Sequence, residues 1–175
     1  MTYRAEYLWL DGTEPTPEIR SKTKILADGD EPGIWGYDGS STNQATGDNS
    51  DVVLQPVFQC PDPLRGGDNI LVLCETFLTD TETPHPTNTR AKAREAYEKY
   101  GDQEPWFGME QEYTMLDMAT GWPAGFPPNG FPPPQGPYYC GVGAVKIHGR
   151  DIVEEHTTLC IDAGLAISGT NAEVM

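Results

Sequence analysis

The chain has 175 residues, enough for one large domain or two small ones, and its 27 acidic against 11 basic residues leave a formal net charge of −16. That acid excess sets the bare surface against nucleic acid and anionic lipid, while a hydrophobic share of 37% with 19 glycines is too rich for a disordered acidic tail. Cys60, Cys74, Cys140 and Cys160 form no CxxC pair, so neither a zinc site nor a redox motif is supported and buried free thiols are expected.

The opening MTYRAEYLWLDG lacks the long apolar core of a signal peptide, and no run approaches the length of a membrane span, so a cytoplasmic home is expected. Tyr3, Ala5, Tyr7 and Trp9 alternate with Arg4, Glu6, Leu8 and Leu10, a period of two that predicts a half-buried strand over Tyr3–Leu10. Ser21–Ala27 is a second strand, closed by the turn chemistry of DGDEPG. Short strand-like pieces come next in GIWGYDGSST, DVVLQPVFQC and NILVLCETFL, and Ile70–Cys74 is apolar on both faces, as a central strand would be. These elements make one sheet-rich domain over residues 1–83.

TPHPTNT marks a linker at 84–88 into a helix over about 88–100, with N-cap oxygens at Thr87, Asn88 and Thr89 and Gly101 to close it. A strand is expected from Trp106 to Met118, and within it WFGMEQEYTM places Glu110 and Glu112 one residue apart. In a strand such residues share a face with carboxylates roughly 7 Å apart at most, so they need water, a proton or a cation between them. The next stretch, GWPAGFPPNGFPPPQGPYYCGVG, is too rich in proline for a helix or a central strand, and its aromatics point to an ordered active-site or subunit-contact loop. Ile152, Val153, Leu159, Cys160 and Ala163 then fit one face of a helix from Arg150 to Ala163 with Gly164 as its cap. The closing LAISGTNAEVM alternates again and sets Asn171 and Glu173 on one face.

Glu110, Glu112 and Glu173 therefore lie on two strand-like segments flanking a helix and would converge if those strands were sheet neighbours. An all-oxygen ligand set without paired His or Cys suits Mg²⁺ or Mn²⁺ and leaves positions open for phosphate and water. The turn Asp38-Gly39-Ser40-Ser41 offers a carboxylate and two hydroxyls, and by itself reads first as an ordinary Asx or Ser turn. No GxxxxGK[ST] loop is present, and His85, His148 and His156 are scattered, each read as a surface or satisfied side chain. No serine has a histidine partner in a recognisable triad motif.

Taken together and in this order, WGYDGSST, FGMEQEYT, PQGPYYCGVG, GRDIVEEH and GTNAEV resemble glutamine synthetase of the eukaryote-like class that also occurs in some bacteria. The resemblance runs over all 175 residues. It implies an α+β fold: a β-grasp domain over 1–83, a linker at 84–88, and over 89–175 the N-terminal part of a catalytic domain with a curved antiparallel sheet. It implies Mg²⁺ or Mn²⁺ as cofactor and ATP as substrate, with Glu110 on the metal that accompanies ATP, Glu112 and Glu173 on the metal of the glutamate side, and Trp106 beside the nucleotide. It further implies L-glutamate and ammonium as substrates and a homo-oligomeric double ring in which Asp38 and Ser41 complete a neighbour's site, Asp38 holding ammonium and taking its proton.

In that family the chain continues beyond NAEVM into further metal, glutamate and phosphate ligands, so 1–175 is expected to be a fragment and, as an isolated polypeptide, inactive. Two other readings stand beside it: a γ-glutamyl ligase acting on a different amine, and a non-catalytic metal-binding form.

Overall fold

The computed structural model describes residues 1–127, 129–131, 138–143 and 146–173. The chain divides into two compact units, Met1–Trp106 and Phe107–Met175.

The first unit is built on one five-stranded sheet. Its strands are β1 (Thr2–Leu10), β2 (Ile19–Ala27), β3 (Trp35–Asp38), β4 (Asp51–Pro61) and β5 (Ile70–Phe77), in the order β2-β1-β5-β4-β3. Only β1 and β5 run parallel; the other pairs are antiparallel. The period of two in β1 decides its faces: Ala5, Tyr7 and Trp9 turn inward and meet Leu26, Tyr37, Val52, Leu54, Val72 and Cys74 in one apolar core. Tyr7 stands edge-on to Trp35 and Trp9 lies against Tyr37, adding aromatic contacts to the area buried. Strand β5 is central, as its apolar run predicts. At Pro56, which has no N–H to donate, β4 shifts register against β5, the bulge that lets a proline sit inside a long strand.

Beyond β5 the chain stays tied to the sheet. Residues 84–88 are laid along the end of β5, with the His85 amide donating to Thr76 O at 3.0 Å and Asn88 Nδ2 donating to Thr76 O at 3.0 Å. Asn88 also caps helix α1 (Thr89–Tyr100), its Oδ1 accepting from the Ala91 amide. The helix is held through charge more than through apolar packing: Ala91 is its buried residue, and Arg90 and Arg94 both reach the fully buried carboxylate of Glu75 on β5. Gly101 does not end α1 by turning left-handed. The chain runs on into a 3₁₀ turn, Gly101–Gln103, and Glu104 takes the left-handed position instead.

The second unit holds helix α2 (Arg150–Asp162), closed by Gly164 at φ +81° as its position predicts. The strands expected over Trp106–Met118 and through LAISGTNAEVM are not formed in the described residues; residues 106–114 are exposed and without regular structure. The physical reason is that alternation makes a strand only where a neighbour completes the ladder. Here the described pairing amounts to an isolated bridge between Leu116 and Pro123 and one bond from the Cys140 amide to Ala172 O at 2.9 Å. Of the expected ordered loop, residues 128 and 132–137 lie outside the described residues; in the described part Trp122 packs on Phe126 and Phe131 at ring distances of 6.1 Å. The cysteine expectation also needs correction, since Cys74 is buried but Cys140 is exposed.

Candidate functional site

In the first unit the chemistry-bearing feature is the turn at the end of β3. Asp38 is the last residue of that edge strand, pairs in register with Asp51, and opens the 3₁₀ turn Gly39–Thr42. Its Oδ1 accepts from the Ser40 amide at 2.9 Å and from Ser40 Oγ at 2.6 Å. These bonds, the Ser40 hydroxyl first, hold the exposed carboxyl below its ordinary range, with smaller help from Ser50 and the Ser41 amide. Asp38 is thus an ionised, outward-facing carboxylate at neutral pH, and Ser41 is exposed beside it. The sharpness of the turn depends on Gly39. Its amide donates to Ser50 O at 2.7 Å, and a Cβ there would lie 2.5 Å from Val52 Cγ2.

In the second unit, Glu110, Glu112 and Glu173 are all exposed on irregular backbone. The Tyr139 phenol is pushed above its ordinary range by Cys140 first, then by the charge of Glu173 and, more weakly, of Glu110. Glu173 is oriented by Asn171 Nδ2, which donates to its Oε1 at 2.8 Å. Glu112 is flanked by Tyr113, whose hydroxyl is 3.3 Å from His156 Nδ1 on α2. Among the described residues no three His, Cys, Asp or Glu side chains stand close enough to hold a metal ion. The three glutamates therefore do not by themselves form a cage. Trp106 is 96% exposed at the boundary between the two units.

Sequence reasoning missed two groups. Tyr139 lies within the motif PQGPYYCGVG, but nothing in its spacing announces that the charges of Glu173 and Glu110 act on its phenol. Gln44, Thr87 and His85 back the Asp38 turn from the protein side, and they come from segments 41 to 43 residues apart in sequence, beyond the reach of any local pattern. His85 fits its reading as a satisfied histidine, 8% exposed with both ring nitrogens bonded. Among the described residues no helix is long and apolar enough to cross a membrane.

Residues 2–79 match the family described as glutamine synthetase, beta-Grasp domain, which coincides with the five-stranded sheet. Over the whole chain, the glutamine synthetase of Frankia alni is 66% identical across 175 residues, all of this chain and 49% of the relative. That of Streptomyces viridochromogenes is 62% identical across 179 residues, covering 100% of this chain and 51% of the relative. The chloroplastic glutamine synthetase of Chlamydomonas reinhardtii is 50% identical, over 98% of this chain and 48% of its own length. The chain spans about half the length of the curated relatives it matches.

Proposed function

From the premise that this chain belongs to the glutamine synthetase family and corresponds to the N-terminal half of its members, we propose that the full-length protein joins ammonia to the γ-carboxylate of L-glutamate at the expense of ATP. The observation that carries this reading is the 66% identity to the glutamine synthetase of Frankia alni over all 175 residues, the span that holds the motifs from WGYDGSST to GTNAEV. The reaction balances in two steps. A γ-carboxylate oxygen of glutamate attacks the terminal phosphorus of ATP and ADP leaves; ammonia then attacks the acyl carbon, phosphate leaves, and the nitrogen gives up a proton.

Asp38 is the residue whose geometry fits a defined part in this. An exposed carboxylate kept ionised by Ser40 attracts ammonium, and it accepts a proton as the nitrogen becomes a nucleophile. Because the same hydrogen bonds lower its proton affinity, Asp38 is better suited to hold the cation than to keep the proton, which passes on to solvent. Ser41 stands beside it in the same turn. In a homo-oligomeric double ring this turn would complete the site of a neighbouring subunit.

Glu110, Glu112 and Glu173 are proposed as carboxylate ligands for Mg²⁺ or Mn²⁺, which when bound would offset the charge of two anionic reactants. Trp106 would lie beside the nucleotide. The domain limits proposed for the parent are a β-grasp domain over 1–83, a linker at 84–88 and catalytic-domain sequence from 89 onward, in a cytoplasmic enzyme.

Purified full-length protein is expected to form glutamine only with ATP, glutamate and ammonium all present, whereas the 175-residue polypeptide forms none. Turnover of a larger amine in preference to ammonia would replace this reading with that of a different γ-glutamyl ligase. Loss of ammonium saturation in Asp38→Asn, with ATP binding retained, would assign Asp38 its part.

A further inference from the structure

The turn that presents Asp38 is gripped from behind by a closed set of hydrogen bonds whose directions can be read one by one. His85 Nδ1 receives the Thr87 amide at 3.2 Å, so it is an acceptor, and the ring's other nitrogen, Nε2–H, donates to Gln44 O at 2.7 Å. Thr87 Oγ1 lies 2.9 Å from His85 Nδ1, sharing that nitrogen's one lone pair with the Thr87 amide, and accepts from Gln44 Nε2 at 2.8 Å. Gln44 Nε2 also points to Leu10 O at 3.3 Å, and Gln44 Oε1 accepts from the Tyr37 hydroxyl at 2.6 Å and from Thr42 Oγ1 at 2.9 Å. Burial, first among its influences, pushes the Tyr37 phenol well above its ordinary range, so it stays a donor.

Every polar atom of the Gln44 amide is thereby used, and Gln44, Tyr37, Thr42 and His85 are each no more than 8% exposed. The Gln44 and Ala45 amides both donate to Gly39 O, at 2.9 and 3.1 Å, and Gly39 directly follows Asp38. The chain of constraint thus runs from His85 and Thr87, through Gln44, to the backbone that carries the Asp38 carboxylate. All of it lies within Met1–Trp106. A buried polar network saturated in one sense admits one arrangement, which an apolar filling of the same space would not enforce.

We propose that Gln44, His85 and Thr87 are positioning residues for the Asp38–Ser41 turn, locking the carboxylate at the point from which it meets ammonium. This rests on the proposed part of Asp38 in holding that cation. The clamp ties the turn to the segment that caps α1, so the carboxylate is set by the packed side of the domain and not by the edge strand alone.

The test uses full-length protein with Thr87→Val, which removes the hydroxyl at nearly constant volume, Thr87→Ser, which keeps it, and Tyr37→Phe as a gentler cut of the same network. Hydrogen exchange of the peptide spanning 39–46 is expected to quicken by about tenfold in Thr87→Val while the β1 and β5 peptides keep their protection. The KM for ammonium is expected to rise about fivefold, the order of one neutral hydrogen bond, with the KM for ATP within about twofold, and Thr87→Ser to restore both readouts. In an Asp38→Asn background, Thr87→Val should change ammonium saturation by less than about twofold, because the two act through one group. Unchanged exchange in 39–46 for both Thr87→Val and Tyr37→Phe overturns the proposal. So does faster exchange with an unmoved ammonium KM where Asp38→Asn moves it. Faster exchange together with a silent Asp38→Asn overturns the part given to Asp38, while upholding Gln44, His85 and Thr87 as the clamp of the turn.

Discussion

The two units of this chain are opposite in finish. Within Met1–Trp106 five strands satisfy one another's backbone groups and bury Ala5, Tyr7, Leu54 and Val72 completely. Among the described residues of Phe107–Met175 one helix stands among segments without regular structure, and Phe107, Met109, Met118, Phe131 and Val142 are each at least 79% exposed. Folding free energy therefore resides in the first unit: apolar side chains stabilise only when an element closes over them, and a β pattern without ladder partners supplies neither burial nor hydrogen bonds.

The sharpest way to break that contrast is to cut equivalent apolar groups in each unit. Leu54→Ala, at a fully buried position, is expected to lower unfolding stability by about 3 kcal/mol. Met118→Ala, at a side chain 96% exposed, should stay within about 0.5 kcal/mol in the same denaturant titration. Equal losses would mean that the second unit buries Met118 in the protein in solution.

A smaller effect is expected from the glycines. Gly39→Ala forces a Cβ to 2.5 Å from Val52 Cγ2 and 3.3 Å from Ser50 O, a crowding that should cost about 2 kcal/mol and also disturb the Asp38 turn. Gly164→Ala meets no atom within 4 Å and is penalised only by its φ of +81°, by about 1 kcal/mol. The first loss reports packing and the second backbone strain, and thermal unfolding of the two variants separates them.

Acid titration probes the same boundary electrostatically. Burial would raise the Asp11 carboxyl, but hydrogen bonds from the Glu18 and Thr13 amides, the Thr13 hydroxyl and Arg20 outweigh it and bring it down to about 2. With the folded value below an unfolded value near 3.8, its contribution is complete above pH 4 and lost as pH falls toward 2. Asp11→Asn should therefore lower stability at neutral pH and flatten the acid limb in that window; an acid limb identical to that of the unaltered protein would show that Asp11 is not its source.

The least perturbing measurement is thiol alkylation. Burial pushes Cys74 up to about 12, so it should resist iodoacetamide at pH 8 until the protein unfolds, while the exposed Cys140 is modified in the native state. Mass spectrometry of the two peptides tells them apart, and early labelling of Cys74 would mean that the sheet opens locally.

Much of the fold is legible in the sequence for reasons that can be named. The alternation of Tyr3 to Leu10 carries its own inside and outside, the apolar run at Ile70–Cys74 requires cover on both faces, and Asn88 and Gly164 mark helix ends through local hydrogen bonding and φ alone. The Asp38 turn is legible too, because an Asp followed by Gly-Ser-Ser makes the same local bonds in any context. These properties reside within a few residues of chain, where local bonding and side-chain pattern are enough to set them. Tertiary structure decided which distant groups meet: that Glu75 lies under Arg90 and Arg94, and that Gln44 closes a ring with His85 and Thr87. It also decided that the segment around Glu110 and Glu112, strand-like in pattern, joins no ladder in the described residues, because a strand is completed by its neighbour and not by its own alternation.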